Sequence, residues 1–226
     1  TPDRGIDLLF GGGFKHFQRP DGKQPGVDLI RGLARNRGYQ LVRNRDELAR
    51  AQAKGKLLGL FYDDHLPYAI DRENNPSLSG VPGLETLFRK ALNHLNRSNN
   101  GFALQVEAGR VDHAGHANDP AAILREMLEF DRCISIATEF QQQHPDTLVI
   151  LTTDHGTGGC QLNGWGKDYN DSGPALERIN RFKASFEGLK HGFDKKVGFD
   201  SRLFTQATGI TSGPEKEAAI RDRISK

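Results

Sequence analysis

The sequence predicts an α/β fold: a mainly parallel sheet with helices on both faces. Three observations carry this. Short apolar runs alternate with helix-spaced stretches from residue 6 to residue 153. One run, Leu57–Tyr62, is apolar almost throughout, as a strand covered on both faces must be. Two later apolar runs end in carboxylates, imidazoles and glycines, and the carboxyl ends of strands are where open α/β sheets gather ligands.

The elements follow in order. Ile6–Phe10 is a short apolar run closed by Gly11-Gly12-Gly13, which reads as a strand entering a loop. From Val27 to Arg37, Leu29, Ile30, Leu33 and Ala34 fall at helical spacing, and Gly38 is a suitable residue just past the end. Tyr39–Val42 is a second strand. Asp46 is expected to cap a short helix through Ala53, and Leu57–Tyr62 is a third strand. Residues 63–80 carry Pro67, Pro76 and Asn74-Asn75 and read as a long loop. A helix is expected over Pro82–Asn96, where Leu84, Leu87, Phe88, Ala91, Leu92 and Leu95 form one stripe. Asn99-Asn100-Gly101 turns the chain into a fourth strand from Phe102. Asp119 is a plausible cap with Pro120 in the first turn of a helix running to Gln143, and Thr147–Thr153 is a fifth strand. Beyond Trp165 the pattern loosens into a helix over Ala175–Leu189, a glycine-spaced region to Gly209 and a charged helical end from Pro214. The domain reading is an α/β core over 1–166, with 167–226 as a looser, partly helical extension of it.

Composition excludes several function classes. Lys plus Arg number 31 against 29 Asp plus Glu, a net charge of +2, so no electrostatic footprint for nucleic acid is present. The longest apolar runs, LLGLF and LVIL, are far too short to span a bilayer. Two cysteines, Cys133 and Cys160, make no disulfide framework; Cys133 lies on an apolar helix stripe and reads as a small core residue.

The chemistry sits in two clusters. FALQVEAGRVDHAGH (Phe102–His116) holds Glu107, Asp112, His113 and His116, and LVILTTDHGTGG (Leu148–Gly159) holds Asp154 and His155. Asp112 and His116 are four apart, which on a helix or a compact loop lets an oxygen and a nitrogen converge on one ion. Neighbours in an extended strand point to opposite faces, so Asp154 and His155 can share a metal only if the chain has already turned. The glycines at 156, 158 and 159 permit that turn. Glu107 supplies a further hard oxygen suited to magnesium. For His16, His65, His94, His144 and His191 the reading is a surface or hydrogen-bonded histidine, and His113 reads equally well as a solvated loop residue.

These strings resemble the alkaline phosphatase family. VEAGRVDHAGHAND is similar to its Val-Glu-Gly-Gly-Arg-Ile-Asp pattern followed by a spacer and His, and LTTDHGTGG to its Thr-Ala-Asp-His-x-Thr-Gly-Gly pattern. LLFGGG, LGLFYDDHLPYAIDR and EMLEFDRCI share the family's texture, and the likeness runs from about residue 6 to about residue 166. The resemblance implies a three-layer α/β sandwich, incomplete here, and hydrolysis of phosphate monoesters with two zinc ions and one magnesium ion. It would place Asp112 and His116 on the first zinc, Asp154 and His155 on the second, and Glu107 on magnesium. His113 would lie near the phosphate or behind the metal ligands. It also implies a periplasmic or secreted setting and a homodimer as partner.

The sequence departs from that pattern in one large respect. The family's nucleophilic serine lies in an Asp-Ser-Ala motif ahead of the metal motifs, and no serine here precedes Ser77. Asp171-Ser172-Gly173 and Asp200-Ser201-Arg202 fall after them, and the histidine expected in a His-Thr motif has no match, His191 lying in LKHGFDKK. The chain is therefore expected to be an internal segment with little activity alone. Two alternatives stand beside it: another hydrolase of the same metal-dependent superfamily (phosphodiesterase, sulfatase or mutase), and a non-catalytic metal-binding domain.

Overall fold

The structure is a computed structural model that describes residues 5–17, 26–52, 54–158, 160–161, 170, 173–192 and 200–224. The chain divides into two compact units, each interleaved in sequence. Residues 1–67, 76–108 and 129–150 form the first, and residues 68–75, 109–128 and 151–226 the second.

The first unit is built on a parallel sheet of three strands among the described residues: β1 (Leu8–Gly11), β2 (Tyr39–Val42) and β3 (Lys56–Leu60), in the order β1-β3-β2. Side chains alternate across a strand, so consecutive leucines of β3 serve different layers. Leu57 packs with Val42, Leu48, Phe61, Val81 and Leu87. Leu58 and Leu60 pack with Phe14, Ile30, Ala34 and Leu41. The helices supplying those residues therefore cover opposite faces. α1 (Val27–Asn36) covers one, and α2 (Arg45–Arg50) with α4 (Leu84–Leu95) covers the other. This is the expected α/β arrangement, with a helical layer on each side of a parallel sheet.

At the end of β1 the glycine triplet has a steric reason. A Cβ on Gly12 would run into the carbonyl of Asp64, and the adjoining backbone is tied down by Gly13 N–H donating to Asp64 O at 2.7 Å. α2 is capped by Asn44, whose side chain accepts from Glu47 N at 2.8 Å, rather than by Asp46, and it ends at Arg50. Residue 53, where that helix was expected to finish, lies outside the described residues.

Two expected strands differ. The stretch from Phe102 and the run Thr147–Thr153 form no strand and join no ladder among the described residues. Leu104 and Val106 still pack with Phe88, Leu92, Cys133 and Ile136. Leu148 and Ile150, by contrast, are 82% and 77% exposed. β-propensity alone does not make a strand; the hydrogen-bonding neighbour does.

The second unit contains α3 (Ala69–Asn74) inside the expected loop, α5 (Arg110–His116), and the first residues of α6 (Pro120–Gln143). α6 has the expected bounds, with Asp119 Oδ1 accepting from Ala122 N at 3.0 Å. The expected helix over Ala175–Leu189 is split into α7 (Gly173–Ile179) and α8 (Phe186–Gly192). Between them Lys183 N donates to Ala207 O at 2.7 Å and Ser185 turns inward to Asp71. α9 (Ser201–Thr208) is capped by Asp200, which accepts from Arg202 N at 2.8 Å, and α10 spans Pro214–Ile224. Ser201 thus opens a helix; residues 171 and 172 lie outside the described set.

Candidate functional site

The geometry begins at α5. Its backbone is helical over Arg110–His116, so Asp112 and His116 lie one above the other on the same face. Asp112 Oδ2 is 3.6 Å from His116 Nε2. Asp112 occupies the first turn, where the partial positive charge of the helix N-terminus favours a carboxylate. Its other oxygen, Oδ1, is buried and accepts no hydrogen bond. A buried carboxylate oxygen without a donor is costly unless a cation completes it. An oxygen and an imidazole nitrogen at this separation suit zinc, whose bonds to such atoms are about 2 Å.

Asp154 and His155 stand together as well. His155 N–H donates to Asp154 Oδ1 at 2.9 Å, Thr153 Oγ1 donates to the His155 carbonyl at 3.0 Å, and Asp154 Oδ2 lies 3.3 Å from His155 Nε2. The chain has therefore turned at this point, and both side chains reach one region. The turn is locked onto α5: a Cβ on Gly115 would collide with the Thr157 side chain. Only glycine lets the helix and the loop approach so closely. Glu107 lies exposed in the irregular stretch ahead of Gly109. Among the described residues no group of three or more His, Cys, Asp and Glu converges; the ligand candidates stand as pairs.

Sequence reasoning passed over Arg110. Its guanidinium lies 3.6 Å above the Tyr68 ring, and one amino group donates to Glu187 Oε2 at 2.8 Å. The other reaches His113 Nδ1 at 3.0 Å. Guanidinium can only donate, so that nitrogen accepts, and a neutral His113 carries its proton on Nε2. Arg110 Nε is buried and has no partner. Tyr68 is itself buried, and burial pushes its hydroxyl up to about 12, with the nearby Arg110 charge acting in the opposite sense. The available signal was the arginine of the GRVD string beside the aspartate.

Two buried carboxylates hold the floor of this unit. Asp119 accepts from Ala122 N through Oδ1 and from Phe186 N through Oδ2 at 2.6 Å. Asp71 accepts from Ser185 N at 2.8 Å and Ser185 Oγ at 2.6 Å. Burial raises the pKa of both above the ordinary carboxylate value, more than their hydrogen bonds lower it. Glu126 accepts from Ala69 N at 2.6 Å and so starts α3.

Residues 3–192 match the family model described as alkaline phosphatase. The repressible alkaline phosphatase of Saccharomyces cerevisiae is 37% identical over 180 residues, covering 69% of this chain and 31% of the yeast protein. The alkaline phosphatase of Schizosaccharomyces pombe is 40% identical over 169 residues, covering 70% of this chain and 31% of that one. Among solved structures, Thermus thermophilus alkaline phosphatase superposes with a TM-score of 0.85 at 34% identity, covering 97% of this chain and 47% of that chain. The chain thus spans about a third of those curated relatives and about half of that solved chain.

Proposed function

Because the chain belongs to the alkaline phosphatase family, we propose that it supplies metal ligands to a site that hydrolyses phosphate monoesters. The observation that carries this is α5, where Asp112 keeps a buried oxygen without a donor 3.6 Å-paired to His116 through its other oxygen. Asp112 and His116 would hold one zinc ion, Asp154 and His155 a second, and Glu107 a magnesium ion. The chemistry such ions supply is polarisation of a phosphoryl oxygen and a lower proton affinity for an attacking hydroxyl. The chain's own contribution is placement. The helical backbone sets Asp112 beside His116, and the close seat of Thr157 on Gly115 sets the Asp154–His155 turn against that helix. Arg110 donates to Nδ1 of His113 and so fixes the orientation of that ring beside Asp112. The attacking serine is proposed to come from outside these 226 residues. A periplasmic or secreted setting and a homodimer accord with the same family reading. No helix among the described residues is long and apolar enough to cross a membrane.

The pairing of candidate ligands in twos favours one further reading, a metal-binding domain without turnover. Turnover of p-nitrophenyl phosphate by this chain with added zinc and magnesium separates activities. Little turnover together with bound zinc, lost in Asp112→Ala and Asp154→Ala by elemental analysis, is the expected result. Strong turnover from the chain alone would show that the serine lies within it. Zinc content unchanged in both variants would sink the ligand assignment.

A further inference from the structure

The edge of the sheet in the first unit carries a second candidate site, unrelated to the metal pairs. β2 is one of the two edge strands of the sheet among the described residues, and a groove of about 580 Å³ is lined by its Tyr39, Gln40 and Leu41. Arg31 and Arg35, four apart on α1 and therefore on one helix face, line it. Arg50 at the end of α2, with Lys54 just before β3 and Lys56 at its start, also lines it. Among the described residues the groove has five cationic side chains and a single carboxylate, Glu47. That carboxylate is engaged: it accepts from Arg43 N at 2.8 Å and lies 3.8 Å from Arg31. The whole chain balances 31 basic residues against 29 acidic ones, so the excess here is local and not a property of the surface at large.

The floor is fixed. Gln40 Oε1 accepts from Gln52 N at 3.0 Å, and Lys90 Nζ donates to Ala51 O at 3.1 Å, which ties the α2–β3 connection to neighbouring elements. The cations therefore project from anchored backbone. The volume is several times that of one phosphate group and lies in the range of small-molecule sites. Guanidinium groups donate in pairs to phosphate oxygens, and ammonium groups add point charge.

We infer that this groove binds a small polyanion carrying several linked phosphate groups. Inorganic polyphosphate and a nucleoside triphosphate share that chemistry. The test is titration calorimetry on the metal-stripped chain at low salt with inorganic tripolyphosphate, with ATP, and with orthophosphate. Tripolyphosphate should bind at least about tenfold more tightly than orthophosphate, since it engages several cations at once, and should weaken as salt is raised. ATP binding more tightly than tripolyphosphate would assign the nucleotide as the source; equal or weaker binding would assign the inorganic chain. The Arg35→Glu/Lys54→Glu double variant should lose at least about tenfold in affinity. The Asp112→Asn/Asp154→Asn variant should bind unchanged, which separates this groove from the metal pairs. Three results would each overturn the inference: no binding of tripolyphosphate, unaltered binding by the charge-reversed variant, or orthophosphate binding as tightly as tripolyphosphate.

Discussion

Arg110 shows how one residue can organise a site without being a ligand. Its guanidinium is stacked on Tyr68, paired with Glu187 and aimed at His113. Arg110→Ala removes a stacked, largely buried cation and is expected to cost about 2–3 kcal/mol in urea unfolding. Arg110→Lys keeps the charge but not the planar fork, so it should recover only part of that stability. Full recovery by lysine would mean that charge alone matters. Asp71 makes a prediction of a different kind. Its pKa is raised by burial, so its contribution to stability is fully present below the unfolded-chain value and is lost as pH rises through the raised folded value. Asp71→Asn does not titrate. The stability of the parent minus that of the variant should therefore fall as pH rises above the ordinary carboxylate value of about 4. Chemical denaturation at a series of pH values measures this, and a difference that grows with pH would reverse the sign argued here.

At the scale of elements, the seat of the Asp154–His155 turn on α5 depends on Gly115. Gly115→Ala places a methyl group against Thr157, and the expected cost is about 1–3 kcal/mol of stability with weaker zinc retention. Thr157→Ala in the same chain should restore most of both; failure to do so would show that Gly115 matters for another reason. Elements stabilised by their own local pattern are legible in the sequence. Tyr39–Val42 has the bounds read from the sequence, and Pro120–Gln143 those read from the Asp119-Pro120 start. The Asp112–His116 spacing suits a helix or a compact loop, and the structure makes it the helix α5. What was not legible rests on residues far apart in sequence. α3 forms within a Pro- and Asn-rich stretch because Glu126 caps it from 57 residues away. The break between α7 and α8 follows from Asp71 capturing Ser185, and Arg110 finds Glu187 at a separation of 77. The runs from Phe102 and Thr147 have strand composition, yet a ladder depends on a neighbour that composition does not name.

At the scale of the whole molecule, the run Leu148–Leu151 presents four large apolar side chains to solvent. A short β-prone segment without charge is a template for association between chains. Leu148→Lys/Ile150→Lys is expected to lower light scattering on concentration while changing unfolding stability by less than about 0.5 kcal/mol, since both side chains are exposed. Unchanged scattering would place the adhesive surface elsewhere. The interleaved construction of the second unit has a consequence for how the chain is made. Its parts come from residues 68–75, 109–128 and 151–226; Asp71 accepts from Ser185, and Asp119, whose Oδ1 is already held by Ala122, takes Phe186 N–H on Oδ2. During vectorial synthesis α5 must therefore emerge and wait, its buried neighbours unfinished, until the ribosome has delivered some seventy residues more. That interval, rather than the folded state, is when the two aspartates stand uncovered and when a holding chaperone would have the most to grip.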